Sequence, residues 1–174
     1  MNVNSVPDNL GNNLLVAMDN AASSLYMVRV LARLLPDHKR IRITLMHYLA
    51  PIYWEHAGID SPEDEEALEN EEEWVEAEEE KEELETDFYF KQATAILERA
   101  GVPSRAIRTR LHFDENSVSE AVLTELQDGL YTSVVMGRQH HDLLAGMLGG
   151  PVTDVLRQHD EDIAVWVIED EPEE

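Results

Sequence analysis

The chain has 174 residues and a mass of 19.8 kDa, enough for one full hydrophobic core and too little for two ordinary domains. Thirteen Lys+Arg against 37 Asp+Glu give a formal net charge of −24, a field that repels nucleic acid and anionic membranes, so neither is expected as a partner. Cysteine is absent, which excludes disulfides, thiolate catalysis and thiolate metal sites. The opening MNVNSVPDNLGNN has no basic region and no apolar run of signal length, and no stretch is long enough to span a bilayer. A soluble cytoplasmic protein is the expectation.

In chain order, NLLVAMD (13–19) is a short apolar run ending in an acid, read as a first buried strand. In the segment after it, Leu25, Val28, Leu31, Ala32 and Leu35 recur at helical spacing, and Pro36 ends the pattern. RIRITLMHYLAP alternates and then becomes continuously apolar, a second strand closed by Pro51. Residues 52–60 read as loop. The acidic stretch that follows, continued by ATAILERAGVP, reads as helix with Gly101 as its stop and Pro103 behind. AIRTRLHF alternates as a third strand. SVSEAVLTELQDG is a helix with Ser117 and Glu120 spaced as a capping box. YTSVVMG is a fourth strand, GPVTDVLRQHD a helix with Pro151 at its first position, and DIAVWVIED a fifth strand.

Strands alternating with helices in this way predict an α/β fold: one domain over 1–174, with a five-stranded, parallel-type sheet and helices on both faces. Ligands in such sheets sit beyond the carboxyl ends of the strands, where strand order reverses. Those ends carry Asp19, His47 with Tyr48, Phe113 with Asp114, and Gly137.

The charge is concentrated. Residues 60–87 hold 17 acids and one base, Lys81, and the tail 169–174 adds five acids, which leaves −3 for everything else. An ordinary domain therefore carries an acidic helical insert and an acidic tail. Leu68, Val75, Leu84 and Phe88, with Trp74 nearby, predict a helix packed through a narrow apolar seam, its charged face solvated or docked to a basic protein partner. Like charges at i,i+4 oppose that helix by about 0.2–0.5 kcal/mol per pair.

Four pieces of the chain resemble the universal stress protein family: LLVAMDNAASS with Asp19, TLMHYLAP with its histidine, EAVLTELQDGLYTSVVMGR, and LAGMLGGPVTDVLRQHDEDIAVWVI. The resemblance covers nearly everything outside the insert and the tails. It implies the Rossmann-like three-layer sandwich of the adenine nucleotide alpha hydrolase type. The nucleotide-binding branch of that family carries glycine, two residues, glycine, nine residues, then glycine and a hydroxyl residue. Here those positions are Gly137, His140, Gly150 and Pro151, so two of four match. The resemblance further implies that Asp19 faces base or ribose, that Tyr48 lines the adenine pocket through its backbone, and that Met136 and Val152 flank the ligand. It also implies a homodimer through the strand 163–168, with Trp166 as its anchor.

The two departures have physical consequences. Proline at 151 removes a backbone donor and a hydroxyl from the position where a helix N-terminus would hold phosphate. Losing one charge-assisted hydrogen bond costs on the order of 1.5–3 kcal/mol, one to two decades in affinity. Val152 and Thr153 keep their N–H groups, and the Thr153 hydroxyl is a partial substitute. Equally, Pro151 simply starts its helix after the Gly149–Gly150 turn. His140 puts a ring where a glycine permits close approach, or supplies a donor that turns cationic below about pH 6.5. Arg138 is a phosphate ligand or a surface residue paired with the acidic surface, and Asp19 a ligand residue or the cap of the following helix.

His140-His141-Asp142 is the tightest potential metal cluster, but no helical His-x-x-x-His pair supports it, so no metal is expected. His47 reads as a satisfied core histidine. No Gly-x-Ser-x-Gly elbow or Gly-x-x-x-x-Gly-Lys loop occurs, and no positioned base is evident. The expectation is a non-catalytic, dimeric regulatory or interaction protein with a degraded nucleotide pocket. The alternative is a sensor that still takes ATP or AMP, with Mg, at the same place.

Overall fold

The computed structural model describes residues 13–19, 22–35, 40–49, 65–113, 118–138 and 163–169. The expected helix at 150–160 and the Ser117 cap lie outside the described residues. The elements are β1 Asn13–Met18, α1 Ala22–Leu34, β2 Arg42–Tyr48, α2 Glu65–Arg99, β3 Ile107–His112, α3 Val118–Asp128, β4 Ser133–Gly137 and β5 Ala164–Ile168. A short 3-10 turn, Ser104–Ala106, leads into β3.

The five strands form one all-parallel sheet in the order β3-β2-β1-β4-β5. β1 lies at its centre, and its side chains are apolar and buried on both sides, as a doubly covered strand requires. Leu14, Val16 and Met18 join Ile43 and Leu45 of β2 under α1 and α2. Leu15 and Ala17 join Met46, Val134 and Met136 under α3. β3, at one edge, is less covered: Ile107 packs against the α1–α2 core, Arg108, Thr109 and Arg110 are exposed, and Leu111 and His112 are half-buried.

The expected strands agree with the structure to within one or two residues at most ends. β1 stops at Met18, so Asp19 follows the strand rather than ending it. β4 begins at Ser133, because Tyr131 turns away to pack over the end of α3. A Cβ on Gly129 would meet the Tyr131 ring at 2.1 Å, so a side chain there would displace the tyrosine. The Tyr131 hydroxyl donates to Glu125 at 2.5 Å, and His112 Nε2 lies 2.9 Å from the other carboxylate oxygen. The carboxylate of Glu125, buried on α3, is satisfied by these partners.

α2 is one continuous helix of 35 residues. At 1.5 Å per residue it is roughly 52 Å long, more than twice the span of any strand here. Its docked face differs from the expected seam. Among the described side chains of α2, which begin at Trp74, the buried ones are Thr86, Phe90, Ala93 and Leu97, while Val75 is half-buried and Leu68 lies outside the described side chains. Leu84 is 64% exposed, Phe88 55% and Trp74 44%. The reason is angular: Leu84 and Phe88 each precede a docked residue by two positions, about 200° around the helix. Thr86 is accommodated in the core because its hydroxyl donates to the Glu82 carbonyl at 2.8 Å. Glu82 is pushed above the usual carboxylate range, first by burial and then by Glu78 and Glu85.

The helix ends as the sequence indicates. Gly101 has φ 103°, the Gly101 N–H donates to the Glu98 carbonyl at 2.9 Å, and the Val102 N–H donates to Leu97 at 3.1 Å. This is a Schellman motif, with Val102 packed in the same core as Leu97.

Two measurements test this packing. Leu97→Ala should cost about 2–5 kcal/mol in denaturant unfolding, while Leu84→Ala should stay within about 0.5 kcal/mol; comparable losses would mean that α2 docks through the other face. Burial, followed by the Glu125 hydrogen bond, raises the Tyr131 pKa from 10.0 to about 12. A raised phenol stabilises the fold fully below its unfolded value and loses that contribution as pH climbs from 10 to about 12. An ultraviolet titration should show a late-ionising phenol that disappears in Tyr131→Phe, and the same variant should flatten the alkaline fall in stability.

Candidate functional site

Strand order reverses between β1 and β4, which lie side by side but run on to opposite halves of the sheet. Their ladder pairs Leu14 with Ser133, Leu15 with Val134 and Val16 with Val135, and ends there. Both strands continue two residues further, to Met18 and Gly137. The carboxyl ends therefore part, and a crevice opens where an α/β sheet offers a ligand its backbone groups.

Asp19 and Gly137 stand at the mouth of that crevice. Asp19 is half-buried, and its Oδ1 accepts from Ser24 Oγ at 2.5 Å while its own N–H donates to the same hydroxyl at 2.9 Å. Ser24 lies in the first turn of α1, so Asp19 secures the start of that helix. Among the described residues, no atom lies within 4 Å of where a Cβ on Gly137 would sit, so the end of β4 is open to close approach. Met136 is fully buried under α3 and can meet a ligand only through its backbone. Arg138 is exposed and donates to Glu169, just past β5, at 2.5 Å. Tyr48 ends β2 and is half-buried against the α3-side core. Beside it, His47 Nδ1–H donates to the Met18 carbonyl at 2.9 Å, the satisfied histidine that its apolar strand implies. His140, Gly150, Pro151, Val152 and Thr153 lie outside the described residues.

The structure brings together a second group that the strand-end argument missed. A cavity of about 550 Å³ lies over the face of β2 and β3 beside the end of α3. Arg42, Arg105, Arg108 and Arg110 line it, with His112, Glu125 and Tyr131 as its inner wall. Alternation in AIRTRLHF was legible as a half-buried strand. The usable signal was that the polar positions of its open face are all basic, in a chain that is overwhelmingly acidic.

Among the described residues, no group of three or more His, Asp or Glu could hold a metal ion. No helix among them is long and apolar enough to cross a membrane.

The model of the universal stress protein family matches residues 12–165. No curated protein matches the chain. Among solved structures, a universal stress family protein from Burkholderia pseudomallei is similar over 92% of this chain and 97% of its own, with 20% identity and a TM-score of 0.57. The universal stress protein UspA from Lactobacillus plantarum is similar over 91% and 97%, at 12% identity and a TM-score of 0.54. A universal stress protein solved in complex with cAMP is similar over 92% and 98%, at 14% identity and a TM-score of 0.53. At these identities the structural likeness establishes the fold, and with the family model spanning nearly the whole chain, the protein belongs to the universal stress protein family.

Proposed function

We propose that the chain is a homodimeric regulatory or interaction protein of the cytoplasm, without turnover, whose nucleotide pocket is weakened in its phosphate part. The observation that carries this reading is that the charged residues at the crevice are already engaged within the protein: Asp19 with Ser24, and Arg138 with Glu169. A ligand would have to compete with both pairs. The sequence weakens the site further by replacing a glycine with His140 and a hydroxyl residue with Pro151.

The second reading is a sensor for ATP or AMP at the same crevice. Two features favour it: the parted ends of β1 and β4, and the open approach over Gly137. A relative of the same fold was solved with cAMP bound. In this reading Gly137 and the backbone of Tyr48 would hold the nucleoside, and Gly150, Val152 and Thr153 the phosphate.

Dimerisation rests on β5. It is the edge strand beyond β4, and Val167 is 41% exposed on it. Among the described residues no strand pairs with its far side; an apolar edge needs cover, and a second copy of the same strand would provide it. Glu76, Glu79, Glu80, Glu83 and Glu85, exposed along α2, are the surface offered to a basic protein partner.

Calorimetric titration with ATP, AMP and cyclic AMP, magnesium present, separates the two readings. The first expects no binding tighter than about 100 μM and no nucleotide in a denatured extract. Tighter binding that disappears in Asp19→Ala would replace it with the second. Light scattering at micromolar concentration should give twice the mass of one chain; a monomer would remove the dimer from both.

A further inference from the structure

We propose that the cavity over the open face of β3 binds a small polyanion: a molecule of metabolite size carrying two or more phosphoryl or carboxylate groups. This site is separate from the crevice at the β1–β4 switch point and does not depend on whether that crevice binds nucleotide.

The fold assembles the cavity from residues distant in sequence. In the register of β2 and β3, Thr44 lies opposite Arg108 and Met46 opposite Arg110. Side chains two apart on a strand share a face, so Arg42, Arg108 and Arg110 project on the side where Met46 meets α3. Arg105 joins them from the 3-10 turn before β3. α3 packs on β1, β2 and β4, which leaves these arginines over an open floor.

The charge there runs against the rest of the molecule. The chain has only 13 Lys+Arg, and four of them face this one cavity. Among the described residues, the one carboxylate that lines it is Glu125. That carboxylate already accepts from Tyr131, lies beside His112 and sits 3.9 Å from Arg110 Nε. Among the described residues, no ion pair joins Arg42, Arg105 or Arg108 to an acid. The described side chains by which α2 docks lie on the opposite face of the sheet, and Glu98 at its end accepts from Ser104, next to Arg105. Guanidinium groups clustered without partners repel one another. An anion that bridges them relieves that repulsion and accepts paired N–H bonds from each.

Size selects the class of ligand. A volume of 550 Å³ lies within the range of small-molecule sites, roughly 300–1,000 Å³. An acidic helix, about 10–12 Å across with its side chains, is a poor match for such a cavity, and nucleic acid meets the net charge of −24. Position within the cavity follows from the same electrostatics. Glu125 and the carbonyl end of α3 repel an anion from one wall, so it sits toward Arg105 and Arg108.

The test is calorimetric titration of the full chain at low salt with pyrophosphate and with citrate. It is run on wild type, on the double variant Arg105→Ala/Arg108→Ala, and on Asp19→Ala. Both arginines are exposed, so the double variant should fold normally, which circular dichroism checks. We expect at least one probe to bind with a Kd below about 1 mM, to weaken at least ~10-fold in the double variant, and to bind Asp19→Ala unchanged. Pyrophosphate alone would mark a phosphoryl ligand, and citrate alone a polycarboxylate. The proposal falls if neither probe binds, if the double variant binds like wild type, or if Asp19→Ala abolishes the signal, which would place the anion in the crevice. It also falls if a glutamate-rich peptide of sequence 69–85 outcompetes both probes, since the surface would then be a protein-docking site.

Discussion

Everything in this fold hangs on the burial of β1. A strand hydrogen-bonded on both sides and covered on both faces must be apolar throughout, and Leu14 to Met18 meet that demand without exception. Because β1 is central, the chain runs outward from it twice, first through β2 to β3 and then through β4 to β5. Right-handed crossovers put the helices of the first excursion on one face and α3 on the other. The reversal fixes the crevice between β1 and β4, and the order of excursions fixes which strand is left at each edge. The open β3 face and the place of β5 at the other edge are thus consequences of one buried strand.

The alternation of elements and the apolar runs made the sheet and its parallel sense legible in sequence. So was the stop of α2 at Gly101, because a helix that ends with a left-handed residue strongly favours glycine there. The docked face of α2 was not legible. Leu84 and Phe88 are more hydrophobic than Thr86, so pattern reasoning chose their side. Tertiary packing chose the side of Phe90, Ala93 and Leu97, and Thr86 follows because its hydroxyl bonds back to the Glu82 carbonyl. The Tyr131–Glu125–His112 cluster was equally hidden, since it joins the end of α3 to the end of β3 through side chains that carry no spacing signal. Asp19 was identified with two roles open, and the structure supplies the helix-securing one through Ser24.

Charge in this protein is segregated by the sheet. On one side, α2 carries a long acidic face whose few ion pairs, Lys81 with Glu78 and Lys91 with Asp87, are exposed and contribute little. On the other side, four arginines gather at β3. The docked residues of α2 and the arginines of β2 and β3 lie on opposite faces of the sheet.

The same constraint weighs on the crevice. A chain of net charge −24 holds a phosphate only where local positive charge or backbone dipoles overcome the background. At the β1–β4 switch point, the one described cation is Arg138, and it is paired with Glu169. Pro151 removes a donor from the helix start that the sequence places there. The β3 face has the opposite balance, with arginines outnumbering the single, already satisfied carboxylate. On the proposed reading, a small anion meets β3 first. On the same reading, the crevice is left to a ligand whose affinity comes from its uncharged part, so the phosphate-poor members of the adenosine series are the informative ones to compare there.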